Sequence, residues 1–74
     1  MPLITVKVIE GVFTPEQKGE IIDKLTDAMV AIEGESLREY TLVLIEDLKQ
    51  GDWSVGGKRL TASDVHRLQR SVAA

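Results

Sequence analysis

Two short apolar segments, Leu3–Glu10 and Thr41–Glu46, stand on either side of one long amphipathic stretch, and that order leaves a 74-residue chain few ways to fold. In the first, Ile4, Val6 and Val8 alternate with Thr5 and Lys7, a period of two that predicts a strand with one apolar face. In the second, Leu42-Val43-Leu44-Ile45 is continuous, which predicts a strand buried on both faces. Between them, Thr14-Pro15-Glu16-Gln17 spells a helix start: Thr14 as N-cap, Pro15 at the first helical position and Gln17 closing a capping box. Ile21, Leu25, Ala28, Met29 and Ile32 then recur at helical spacing, and Gly34 sits where a left-handed cap is wanted. Strand, long helix and strand predict a parallel βαβ unit with a right-handed crossover.

Downstream, Gly51–Gly57 is rich in turn residues, and Gly56-Gly57 provides the positive φ angles of a tight hairpin. Thr61-Ala62-Ser63-Asp64 then caps a short helix expected to run through Gln69. The fold class is therefore α+β: a single domain, residues 1–74, with a two-stranded parallel sheet and a short C-terminal hairpin. One helix covers one face of such a sheet, and the other face needs a cover this chain does not supply. A chain of this length buries only about 60% of the surface it exposes when unfolded. With no cysteine and a single histidine, His66, neither disulfides nor a metal cluster can act as a staple. A homo-oligomer is the expected stabiliser.

The net charge of −3 and the lack of a basic stripe speak against nucleic acid as a partner. The longest unbroken apolar run, Ala28–Ile32, is far short of a membrane span, and the N-terminus lacks signal-peptide features, so a soluble cytoplasmic protein is expected. No motif points to a cofactor or a metal.

Pro2, directly behind Met1, is the residue with the most chemistry to offer. Once Met1 is removed, its nitrogen is a free secondary amine with a reference pKa of about 7.7–8.0. Burial in an apolar pocket or a nearby cation would lower that value and leave a neutral base near pH 7. Without that chemistry Pro2 is simply a strand-start residue whose missing N–H falls at an edge.

Pro2 behind Met1, Glu10-Gly11 closing the first strand, Thr14–Lys18 opening the helix and Trp53-Ser54-Val55-Gly56-Gly57 after the second strand together resemble the 4-oxalocrotonate tautomerase family. The resemblance spans Pro2 to Gly57. It implies a tautomerase-like βαβ subunit assembled as a hexamer or a similar ring of dimers, and an isomerase in which the N-terminal proline is the general base for keto–enol proton transfer on a small 2-oxo or enol acid. It further implies that Trp53 is an apolar wall of the substrate pocket. A subunit-interface anchor is an equal reading of that residue.

The departures from the family pattern bear on the substrate. The arginines with which the family binds substrate carboxylates align with Val12 and Leu42, both apolar here, so a smaller monocarboxylate is expected in place of a dicarboxylate. Arg38 is a candidate replacement, although it lies about 13 Å before Leu42 along an extended strand and also reads as a surface ion pair with Glu35 or Glu39. Lys7 reads as a solvated side chain. Ser63, Asp64 and His66 share one helical turn and cannot orient one another as a hydrolytic triad. Glu46 and Asp47 point to opposite faces and make no acid–base pair. Two alternatives remain open: hydration or decarboxylation on the same fold with the proline as acid, or an oligomeric binding protein without catalysis.

Overall fold

The computed structural model describes residues 1–72. Strand β1, Leu3–Ile9, pairs in parallel with strand β2, Leu42–Leu48, in a register running from Leu3 opposite Leu42 to Ile9 opposite Leu48. Backbone hydrogen bonds extend this ladder at both ends: Leu42 N–H donates to Pro2 O at 3.0 Å, and Glu10 N–H to Leu48 O at 2.7 Å. Helix α1, Pro15–Glu33, makes the crossover. Its start is the expected capping box, with Gln17 N–H donating to Thr14 Oγ1 at 3.1 Å and Thr14 N–H to Gln17 Oε1 at 2.9 Å. Gly34 ends it at φ 106°, but with ψ 148°, so the chain leaves through an extended glycine-only conformation and not the left-handed helical one. A 3₁₀ helix, Glu35–Tyr40, which the sequence pattern did not announce, then turns the chain into β2.

A hairpin of β3, Ser54–Val55, and β4, Lys58–Arg59, follows, closed by Gly56 and Gly57 at φ 59° and 86°. Helix α2, Ala62–Val72, starts at the expected Thr61–Asp64 box and runs three residues beyond the expected end at Gln69. The expectation of one domain over 1–74 includes residues 73 and 74, which lie outside the described residues. Among the described residues no helix is long and apolar enough to cross a membrane.

One packing expectation is corrected. On α1, Ile21, Leu25 and Met29 are half-buried, but Ala28 is exposed and Ile32 is 84% exposed, whereas Val30 is the helix's one buried residue. The face that meets the sheet is turned toward Val30, about 100° round from Met29. Two strands, spaced about 4.8 Å apart, are too narrow to cover the whole apolar belt. In β2, Leu42 and Leu44 are 51% and 55% exposed, and Leu3 beside them is 58% exposed. The register puts all three on the sheet face away from α1, the face that the sequence reading expected one chain to leave without a cover. Burying the exposed half of each of these leucines would gain about 1 kcal/mol.

Among the described residues only Val8, Ile9, Val12 and Val30 are buried apolar residues, and no side chain is completely enclosed. The radius of gyration is 15.0 Å, against about 11 Å for a compact domain of this length. Three of these four, Val8, Ile9 and Val12, lie at the end of the sheet at which β1 finishes, and Val30 packs from the last turn of α1.

Candidate active site

The sequence-derived site residues divide between the two ends of β1. At its start, Pro2 is half-buried, with its carbonyl tied to the N–H of Leu42, and Leu42 pairs with Leu3. Arg38 stands on the 3₁₀ helix that leads into β2, and its guanidinium is already engaged. Its Nε donates to Glu35 Oε1 at 2.7 Å, its Nη2 to Glu35 Oε2 at 3.3 Å and its Nη1 to Asp27 Oδ1 at 2.9 Å. The hydrogen bonds to Glu35 and then Asp27 raise the Arg38 pKa further above its ordinary value, and the bond from Arg38 holds the Glu35 carboxyl below its own. The ion pair with Glu35 read from the sequence is present, Asp27 adds to it, and Glu39 takes no part.

At the other end, a cavity of about 300 Å³ opens beside Val8 and Ile9. Val12 and Phe13 line it from the β1–α1 connection, Trp53 and Leu60 from the two residues flanking the hairpin, Val65 from α2, and Lys7 is its single charged lining residue. Pro2 lies six residues before Val8, about 20 Å along an extended strand. Within one chain, therefore, Val12 and Trp53 come together, Pro2 and Leu42 meet through a backbone hydrogen bond at the other end of β1, and Arg38 is turned to Glu35 and Asp27.

Local geometry explains why the cavity forms. Leu60 N–H donates to Trp53 O at 2.8 Å, continuing the hairpin ladder by one pair and setting both side chains at its base. Helix α2 is then seated by three contacts: Ala62 N–H to Gln50 Oε1 at 3.0 Å, His66 Nε2 against Gly11 O at 3.3 Å, and the closeness of Ala62 to Gly11. Gly11 has φ 88°, and a Cβ there would sit 3.4 Å from Ala62 Cβ, so both conformation and proximity favour glycine. Asp64 accepts from Thr61 N–H at 2.9 Å and from the Thr61 hydroxyl at 3.1 Å, and it pairs with Arg67. The Thr61 N–H, more than Arg67, holds its carboxyl below the usual range. His66 faces Gly11 and Gln69 and contacts neither Ser63 nor Asp64, so no triad forms.

Phe13, Leu60 and Val65 escaped the sequence reading. Phe13 is the chain's one phenylalanine and adjoins Val12, a signal that was available; Val65 gave none, because its place depends on how α2 docks. Lys7, expected to be solvated, is 60% exposed yet borders the cavity, and its Nζ stands 3.8 Å from Glu46 Oε1. Asp47 turns the other way and pairs with Lys18 at 2.6 Å, so Glu46 and Asp47 do diverge.

A protein-family model described as "Tautomerase enzyme" matches residues 2–63. The 2-hydroxymuconate tautomerase of Bacillus subtilis (strain 168) is 41% identical over 61 residues, covering 82% of this chain and 95% of that protein. A probable tautomerase of Listeria monocytogenes is 34% identical over 59 residues, covering 80% and 93%. Among solved structures, YwhB, a homologue of 4-oxalocrotonate tautomerase, superimposes with a TM-score of 0.69 at 40% identity over 85% of this chain and 97% of its own. TomN, a 4-oxalocrotonate tautomerase homologue in the tomaymycin biosynthetic pathway, gives 0.72 at 28% identity over 92% and 95%.

Proposed function

This chain belongs to the tautomerase family of isomerases, and from that premise we propose that it moves a proton between oxygen and carbon of a small enol or 2-oxo acid, with Pro2 as the general base. The observation that carries the reading is the extent of the family match, whose first residue is Pro2. With Met1 removed, the Pro2 nitrogen accepts the enol hydroxyl proton; the ammonium so formed returns a proton to carbon as the carbonyl forms. No group is consumed. A base that must both take and give a proton works best with a pKa near the operating pH, which the reference range of a terminal amine already approaches.

The active unit in this reading is an oligomer, with a hexamer as the expected state. Two observations support it: the exposed leucines of the outer sheet face, and the separation of Pro2 from the Trp53 cavity within one chain. A second subunit that buries Leu3, Leu42 and Leu44 removes the first anomaly, and one that brings its cavity to Pro2 removes the second. Val12 and Leu42 offer no cation to a second carboxylate, and Arg38 is neutralised by Glu35 and Asp27, which favours a monocarboxylate over the dicarboxylate.

The test is direct because the chain is short enough to synthesise with and without Met1. Attached to methionine, the Pro2 nitrogen is an amide with no basic lone pair. The form beginning at Pro2 is expected to ketonise a small enol in a spectrophotometric assay, and the Met1 form to be slower by about 10²–10⁴, the usual worth of a positioned base. Sedimentation should show the same oligomer for both. Equal rates would remove Pro2 from the mechanism.

A further inference from the structure

Helix α2 supplies one piece of the cavity wall, Val65, while every other lining residue belongs to β1, the β1–α1 connection or the flanks of the hairpin. Leu60, the last of those, is tied down on both sides: its N–H donates to Trp53 O at 2.8 Å and its carbonyl accepts from Gly51 N–H at 3.3 Å. Beyond it, most polar contacts are internal to the helix. Thr61 and Asp64 cap its start, Arg67 pairs with Asp64, His66 meets Gln69 and the Ser71 hydroxyl donates to Leu68 O. The helix is thus complete in itself, and the Leu60–Thr61 link is where it can turn as a unit.

Little holds α2 to the rest of the chain. Ala62 N–H donates to Gln50 Oε1 at 3.0 Å and His66 Nε2 stands 3.3 Å from Gly11 O, both at exposed positions where water can replace the partner. Ala62 and Val65 are half-buried, no residue from Ala62 to Ser71 is fully buried, and among the described residues no ion pair joins α2 to another element. Helix α1 differs on each count, with Val30 buried and Lys18 bound 2.6 Å from Asp47. An element with so few buried contacts belongs to the low-stability end of a fold, from which moving covers are drawn.

We infer that α2 is a hinged cover. It turns about the Leu60–Thr61 link between a docked position, with Val65 in the cavity wall, and an undocked one that widens the mouth beside Trp53 and lets a ligand in and out. Gln50 and His66 form the latch. They are positioning residues that set how often the cover opens, and loss of either hydrogen bond should raise the open population about fivefold. The inference rests on the tautomerase reading only in taking the ligand for the substrate. Most of α2 lies beyond residue 63, where the family match ends.

The absence of cysteine from the chain allows a clean test in two parts. For the motion, single-cysteine chains carrying Val65→Cys, Ser71→Cys or Val30→Cys are reacted with a bulky aromatic disulfide reagent. Val65→Cys should react more slowly than Ser71→Cys, and adding Gln50→Ala or His66→Ala should speed it about fivefold. The Val30→Cys rate should not change, which separates undocking from general unfolding. For the consequence, a Cβ on Gly11 would lie 3.4 Å from Ala62 Cβ, at the short edge of disulfide geometry, so Gly11→Cys with Ala62→Cys can bolt the helix down. The oxidised form beginning at Pro2 is expected to turn over a small enol at least about tenfold more slowly than its reduced form, which carries the same strain at residue 11. A Val65→Cys rate indifferent to the latch residues, or equal turnover in the bolted and reduced forms, overturns the inference. If the bolted variant does not fold, or if no form acts on the enol because the Pro2 reading fails, the labelling rates decide alone.

Discussion

The two ends of β1 differ in how much one chain can finish alone. At the end of the strand, Ile9, Val12, Trp53 and Leu60 at the hairpin and Val65 of α2 line an open cavity, and most of the buried residues among those described gather there. At its start, Pro2 and Leu3 lie beside an open leucine face. The chain thus builds a binding pocket by its own folding and leaves its candidate base at an unfinished surface. A site that uses both must be completed by association, so catalysis and assembly should fail together at the Pro2 end and separately at the cavity end.

The largest effect should come from a charge on the open face. Leu44→Glu would place an unpaired carboxylate in a buried contact, at a cost of about 3–5 kcal/mol per interface. Sedimentation velocity should show dissociation, and enol turnover should disappear with it. An oligomer that survives this change would mean that the outer face is not where subunits meet.

At the cavity end, Gly11→Ala forces a side chain into positive φ and against Ala62, at about 1–3 kcal/mol. Thermal melts should show a lower Tm, while the oligomeric state stays unchanged. The smallest effect concerns the α2 cap. Because the Asp64 pKa is depressed in the folded state, its contribution is present above the unfolded value and is lost as pH falls through the folded one. The Tm difference between the parent chain and Asp64→Asn should be constant near neutral pH and should close below about pH 4. A gap that widens in acid would contradict the cap.

What the sequence disclosed was mostly what short-range interactions decide. The Thr14–Gln17 box, the Gly56-Gly57 turn and the Thr61–Asp64 cap each involve groups within a few residues of one another, and each stands where it was expected. The parallel pairing was legible too, since a long helix between two strands allows little else. The rotation of α1 was not. Ile32 and Val30 are equally apolar, and only the position of the narrow sheet decides that Val30 goes in and Ile32 stays out. The candidate pocket residues followed the same rule: the family resemblance pointed to Val12 and Trp53, whereas Val65 joins them through the docking of α2, which the local sequence does not specify.

The claim that one chain's Pro2 works with another chain's cavity can be tested by mixing two defective chains. One carries an intact cavity and a Pro2 blocked by Met1; the other carries a free Pro2 and a cavity filled by Val65→Trp. Each alone should be nearly inactive. Unfolded together in equal amounts and refolded, they should assemble at random, so about a quarter of the sites would pair a free Pro2 with an open cavity and activity should return to about a quarter of the parent's. Activity in the mixture no higher than in the separate chains would show that each subunit uses only its own residues, and would contradict a shared site.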